Sequence, residues 1–108
     1  MKTHYIDSLP PDWVPAADIF AALGDATRQK ILLLFEPHEE LSIKAIADIF
    51  PLSRTSIVHH LYVLEKAGIV QMRRQGKAAL YTLRHDVMLE AVNRLRDYIL
   101  EEFPDAAS

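Results

Sequence analysis

Apolar positions recur at helical spacing along most of the chain and change to strand spacing once. Ile19, Phe20 and Leu23 share one face of a helix expected over residues 16–23, stopped by Gly24. Asp25 is a suitable N-cap for a second helix over 26–35, whose inward stripe is Ile31, Leu32, Leu34 and Phe35. Pro37 ends it, and residues 37–40 read as a polar turn. Ser42 caps a third helix over 43–50 that buries Ile43, Ile46, Ala47 and Phe50, and Pro51 breaks it. Only Leu52 and Ser53 separate it from a fourth helix over 54–67, with Ser53 as N-cap and Ile57, Leu61 and Leu64 on one face. Gly68 stands where a left-handed C-cap residue belongs. The period then falls to two. Residues 69–74 and 78–83 read as strands joined by Gln75-Gly76-Lys77. Asp86 caps a last helix to about residue 103, with Met88, Leu89, Val92, Leu95, Tyr98, Ile99 and Phe103 as its apolar positions.

The order helix, helix, helix, tight turn, helix, hairpin, helix predicts a mainly α fold with a β-hairpin wing, a winged helix-turn-helix of the type α-α-α-α-β-β-α. The domain is expected over 16–103. Residues 1–15 are an irregular lead-in, since Pro10, Pro11 and Pro15 forbid a continuous helix, and 104–108 are a tail. Tyr5, Trp13 and Val14 make the lead-in apolar enough to dock, a second subunit being one surface for it. Much of the last helix's stripe would face water in a lone chain of 108 residues, and a two-helix seam with another copy covers it economically.

Composition narrows the chemistry. There is no Cys, so disulfides, thiolate metal sites and cysteine nucleophiles are excluded. No apolar run approaches the roughly 20 residues that cross a bilayer, and the N-terminus does not read as a signal peptide, so a cytoplasmic location is expected. The formal net charge is −3, yet its distribution is uneven. Between residues 54 and 84, Arg54, Lys66, Arg73, Arg74, Lys77 and Arg84 stand against Glu65 alone, whereas in the last 24 residues six acidic side chains stand against Arg94 and Arg96. A polyanion responds to the field within about 10 Å, not to the total.

That basic stretch coincides with the predicted helix-turn-helix and wing, which points to double-stranded DNA. A helix fits the major groove, where base edges present a readable pattern of donors and acceptors. With Ile57, Leu61 and Leu64 inward, Ser53, Arg54, Thr55, Ser56 and His59 are the groove-side candidates. The wing offers Arg73, Arg74, Gln75 and Lys77 to a neighbouring phosphate or the minor groove. Tyr62, one turn beyond Val58, either reaches a phosphate or packs its ring against the wing. Of the histidines, His4, His38 and His85 read as surface residues, and His60 as packing or touching a phosphate. No phosphate-binding glycine loop, nucleophile elbow or paired-carboxylate motif is present, so no enzyme is expected. The alternative to a DNA-binding regulator is a winged-helix protein-interaction module.

Three segments carry a resemblance to a known family: Ala22-Leu23-Gly24-Asp25-Ala26-Thr27-Arg28, then Leu52-Ser53-Arg54-Thr55-Ser56-Ile57-Val58-His59-His60-Leu61, then Leu64-Glu65-Lys66-Ala67-Gly68-Ile69-Val70. In this order and spacing, residues 20–84 resemble the ArsR/SmtB winged-helix repressors. The resemblance implies a homodimer paired through its first and last helices, operator binding, and release when an inducer binds; here the signal is unidentified, with a small molecule, a partner protein, a change in pH or no ligand at all left open. It does not carry over the family's metal sites. Ser42 and Lys44 stand where arsenic and cadmium sensors have Cys-x-Cys. His85 and Asp86 begin the last helix, but Arg94, Arg96, Asp97 and Ile99 supply no later histidine for a zinc site. No metal and no cofactor are therefore expected.

Overall fold

Short polar side chains start three of the helices in the computed structural model, which describes residues 1–107. A 3-10 turn, Pro11–Trp13, leads into α1 (Val14–Leu23), where Pro15 sits in the first turn and its missing N–H is no loss. The Asp25 carboxylate accepts from Arg28 N at 3.0 Å and opens α2 (Ala26–Leu32). Ser42 accepts from Ala45 N at 3.0 Å at the start of α3 (Ile43–Ala47). Ser53 accepts from Ser56 N at 3.1 Å at the start of α4 (Arg54–Lys66). Each oxygen satisfies an N–H that the helix leaves without a partner.

The end of α4 is equally defined. Ile69 N donates to Leu64 O and Gly68 N to Glu65 O, both at 2.9 Å, and Gly68 has φ +85°. This is a Schellman closure, which needs a left-handed residue. It turns the chain into β2 (Val70–Gln75), which pairs antiparallel with β3 (Ala78–Leu83) from Val70↔Leu83 to Gln75↔Ala78. Gln75 thus belongs to the ladder, and the hairpin loop is Gly76-Lys77, with φ +60° at Gly76. α5 (His85–Glu102) follows, then a 3-10 turn, Pro104–Ala107, in place of part of the expected tail. Ser108 lies outside the described residues.

Several expectations are corrected. A two-residue strand, β1 (Leu41–Ser42), pairs with Tyr81 and Leu80, so the sheet has three strands in the order β1-β3-β2. α2 stops three residues early: Leu34 N bonds to Ile31 O and Phe35 N to Leu32 O, a tightened turn ahead of Pro37, which disfavours helical backbone at Glu36. α3 likewise ends at Ala47, and Phe50 reaches the core margin from the turn. Phe20 is exposed, because α1 turns Ala16, Ile19 and Ala22 inward where it packs along α5. Asp86 is not the cap of α5. It lies in the first turn and pairs with Arg84, whose guanidinium (Nη2–Oδ2 3.1 Å) holds the carboxylate below its usual range.

The core lies between the helices and the sheet. Ile31, Ile46, Ile57, Leu61, Leu64 and Ile69 are fully buried, with Tyr81 closing it from β3. The lead-in docks on its own chain: Trp13 meets the Tyr98 ring edge-on at 5.5 Å, Asp12 pairs with Arg94 at 2.8 Å, and Lys2 with Glu102 at 2.8 Å. Among the described residues, no helix is long and apolar enough to cross a membrane.

Truncating Leu61 to Ala should cost about 2–5 kcal/mol in urea denaturation, since it empties a fully enclosed position. Gly68→Ala meets no neighbour within 4 Å, so its expected cost of about 1–2 kcal/mol is backbone strain alone.

Candidate nucleic-acid interface

Burial of one face of α4 decides what the other face offers. With Ile57, Leu61 and Leu64 inside, Arg54, Thr55, Val58, His59 and Tyr62 are all exposed. Ser53 is exposed, with its hydroxyl engaged at the cap, and Ser56 is half-buried beside it. Tyr62 does not pack on the wing. Its ring is exposed, with Lys66 Nζ 6.0 Å from the centroid. His60 points elsewhere, toward α2: its Nδ1 lies 3.3 Å from Arg28 Nη1, and Arg28 Nε donates to Ala22 O. The pair ties the start of α2 to α4 and leaves His59 as the exposed imidazole of α4.

On the wing, Arg73, Arg74, Gln75 and Lys77 are exposed. Arg73, however, is engaged in a two-pronged pair with Glu40 from the segment before β1, Nε–Oε2 and Nη2–Oε1 both 2.6 Å. Its Nη2 also donates to Gln75 Oε1 at 3.2 Å. The guanidinium holds the Glu40 carboxyl below its usual range, and the carboxylate raises that of Arg73. Arg73 thus adds little free positive charge. Among the described residues, Arg54, Arg74 and Lys77 form no ion pair.

Those three cations are brought together. A groove of about 550 Å³ runs between the start of α3, the start of α4 and the wing, lined by Ser42, Lys44, Arg54, Arg74 and Lys77 among others. Lys44 was not among the sequence candidates. It makes an exposed i,i+4 pair with Asp48 at 2.8 Å, a weak tie in water. Its place at the start of the helix before the tight turn was the available signal. The N-terminus of α4 opens into the same region, and its unpaired N–H groups and dipole favour an anion there. A concave strip of cations beside an exposed helix face of hydrogen-bonding side chains suits a phosphate backbone and the base edges next to it. His4, His38 and His85 are exposed, and among the described residues no three His, Asp or Glu side chains gather to hold a metal.

Comparison with known proteins agrees with this geometry. A family model described as a helix-turn-helix domain matches residues 23–73. The chain is 33% identical over 82 residues to the transcriptional repressor SdpR of Bacillus subtilis, covering 76% of this chain and 90% of that protein. An ArsR-like transcriptional regulator from a Rhodococcus species superposes with a TM-score of 0.76 at 27% identity, over 88% of this chain and 89% of the other. A homodimeric winged helix-turn-helix DNA-binding domain from Mycobacterium bovis superposes with a TM-score of 0.63 at 28% identity, over 79% and 80%.

Releasing Arg73 should add one free cation to the wing. In duplex titrations at several salt concentrations, Glu40→Gln is expected to steepen the slope of log affinity against log salt by about 0.9. An unchanged slope would show that Arg73 gains no phosphate when freed.

Proposed function

This chain belongs to the ArsR/SmtB family of winged helix-turn-helix transcriptional regulators and is a DNA-binding regulator, and from that premise we propose that it acts as a homodimeric repressor of a palindromic operator. One observation carries the reading: the exposed polar face of α4 stands directly beside the cationic groove, with a fully buried stripe behind it. Each α4 enters a major groove. Arg54 contacts base edges with its planar fork of donors, and Thr55 and His59 add donors one turn apart. Ser53 and Ser56 bring the helix N-terminus against a phosphate. Arg74, Gln75 and Lys77 on the wing, with Lys44 and Tyr62, position the protein along the backbone. Arg73 acts through Glu40, fixing the wing to the body.

The second copy is assigned to the faces that α1 and α5 leave uncovered. Leu89, Val92, Leu95, Ile99 and Phe103 are exposed along α5, and Val14 and Phe20 along α1. A contiguous apolar surface of this kind marks an association site. The homodimeric Mycobacterium bovis relative supports the same assembly. Two recognition helices then sit roughly 34 Å apart and read matching half-sites. A small-molecule inducer of unassigned chemistry releases the operator, in the cytoplasm.

Fluorescence anisotropy with the chain's selected operator tests the roles separately. Arg54→Ala should cost about 1–3 kcal/mol and relax preference at one base pair per half-site. Lys77→Ala should weaken all sequences alike and flatten the salt dependence. Leu95→Glu should yield a single subunit in sedimentation velocity and lose the operator's preference for paired half-sites. A Leu95→Glu protein that remains dimeric would place the seam elsewhere.

A further inference from the structure

We propose that Val58, with the γ-methyl of Thr55 beside it, reads the C5 methyl of a thymine in each half-site, an inference that rests on α4 entering the major groove. Val58 is 41% exposed in the middle of the outward face of α4. Arg54 lies one turn before it, Tyr62, 57% exposed, one turn after, and His59 adjoins it. It has no place in the core, because Ile57, Leu61 and Leu64 fill the inward stripe of the helix. Nor does it continue the apolar surface of α1 and α5, since it is flanked by hydrogen-bonding side chains on a different element.

Chemistry selects the partner. The base edges of the major groove are mostly donors and acceptors, and the thymine C5 methyl is the bulkiest apolar group among them, standing where cytosine has only a small C5–H. A valine among donors therefore matches thymine best, by the contact of one methyl group. Thr55 is its i−3 neighbour on the same face, so their methyl groups form one small apolar strip. Val is held near a single χ1 rotamer in a helix, which fixes its part of that strip before contact. Four residues of helix rise about 6 Å, so the thymine belongs within about two base pairs of the base read by Arg54.

The test uses the full-length chain and an operator obtained by in vitro selection, in which thymines are replaced singly by deoxyuridine, removing only the methyl. One thymine per half-site, within two base pairs of the position relaxed by Arg54→Ala, should lose about three- to fivefold in affinity. In Val58→Ala and Val58→Ser, the same replacement should then change affinity by less than twofold. The wild-type series stands without the variants, so misfolding of either one leaves the primary result readable. Tight operator binding with no deoxyuridine-sensitive thymine near the Arg54 base would overturn the inference and leave the proposed function intact. So would a sensitive thymine that stays equally sensitive in both folded variants. Failure to select any specific duplex would overturn the proposed function, and the inference with it.

Discussion

Three side chains on one face of α4, Ile57, Leu61 and Leu64, have no accessible surface, and this burial sets the rotation of the helix about its own axis. A small turn of α4 would take at least one of them out of the core, at about 25 cal/mol for each Å² of apolar surface exposed. The ends of the helix are fixed too, by the Ser53 cap and the left-handed Gly68. With rotation and both ends determined, the direction in which Arg54, Thr55, Val58 and His59 point follows without further adjustment. The wing inherits its position from the same closure, since Gly68 passes the chain straight into β2.

Electrostatics then separates a working face from the rest of the molecule. The chain is acidic overall, at −3, yet Lys44, Arg54, Arg74 and Lys77 converge on one groove. Acidic residues gather toward the end of α5, where Glu101 and Glu102 lie. Such an asymmetry orients the molecule toward a polyanion during encounter while keeping the remaining surface repelled. The Glu40–Arg73 pair serves geometry instead, linking the segment before β1 to the wing. Because Glu40 titrates below its usual range, the pair is in place at neutral pH and is lost as pH falls through that lowered value.

Most of the helices were legible because each has a polar cap, an apolar stripe and a breaker of its own. Asp25, Ser42, Ser53 and Gly68 act as local chemistry requires, and α4 differs from expectation by a single terminal residue. What escaped the sequence depends on contacts between distant segments. β1 has two residues and no alternation to detect, and its pairing with Tyr81 and Leu80 is purely tertiary. Asp12 and Arg94 are 82 residues apart, and Glu40 and Arg73 are 33 apart, so neither pair leaves a local trace. Asp86 has the composition of a cap, but Arg84 competes for it as an ion-pair partner. Among the groove-side candidates, exposure was readable from helical periodicity. The loss of Arg73 to Glu40 was not, because it follows from how the segment before β1 seats against the wing, and Lys44 offered only its place at the start of α3.

In the proposed function, α4 and the wing together meet duplex DNA. Amide chemical-shift changes in isotopically labelled protein, followed as a selected operator duplex is added, test it most directly. The largest changes are expected at residues 53–62 and 74–77, with Ile57 and Leu61 still protected from hydrogen exchange. Changes confined to α1 and α5, or exchange opening of the α4 core on binding, would contradict it.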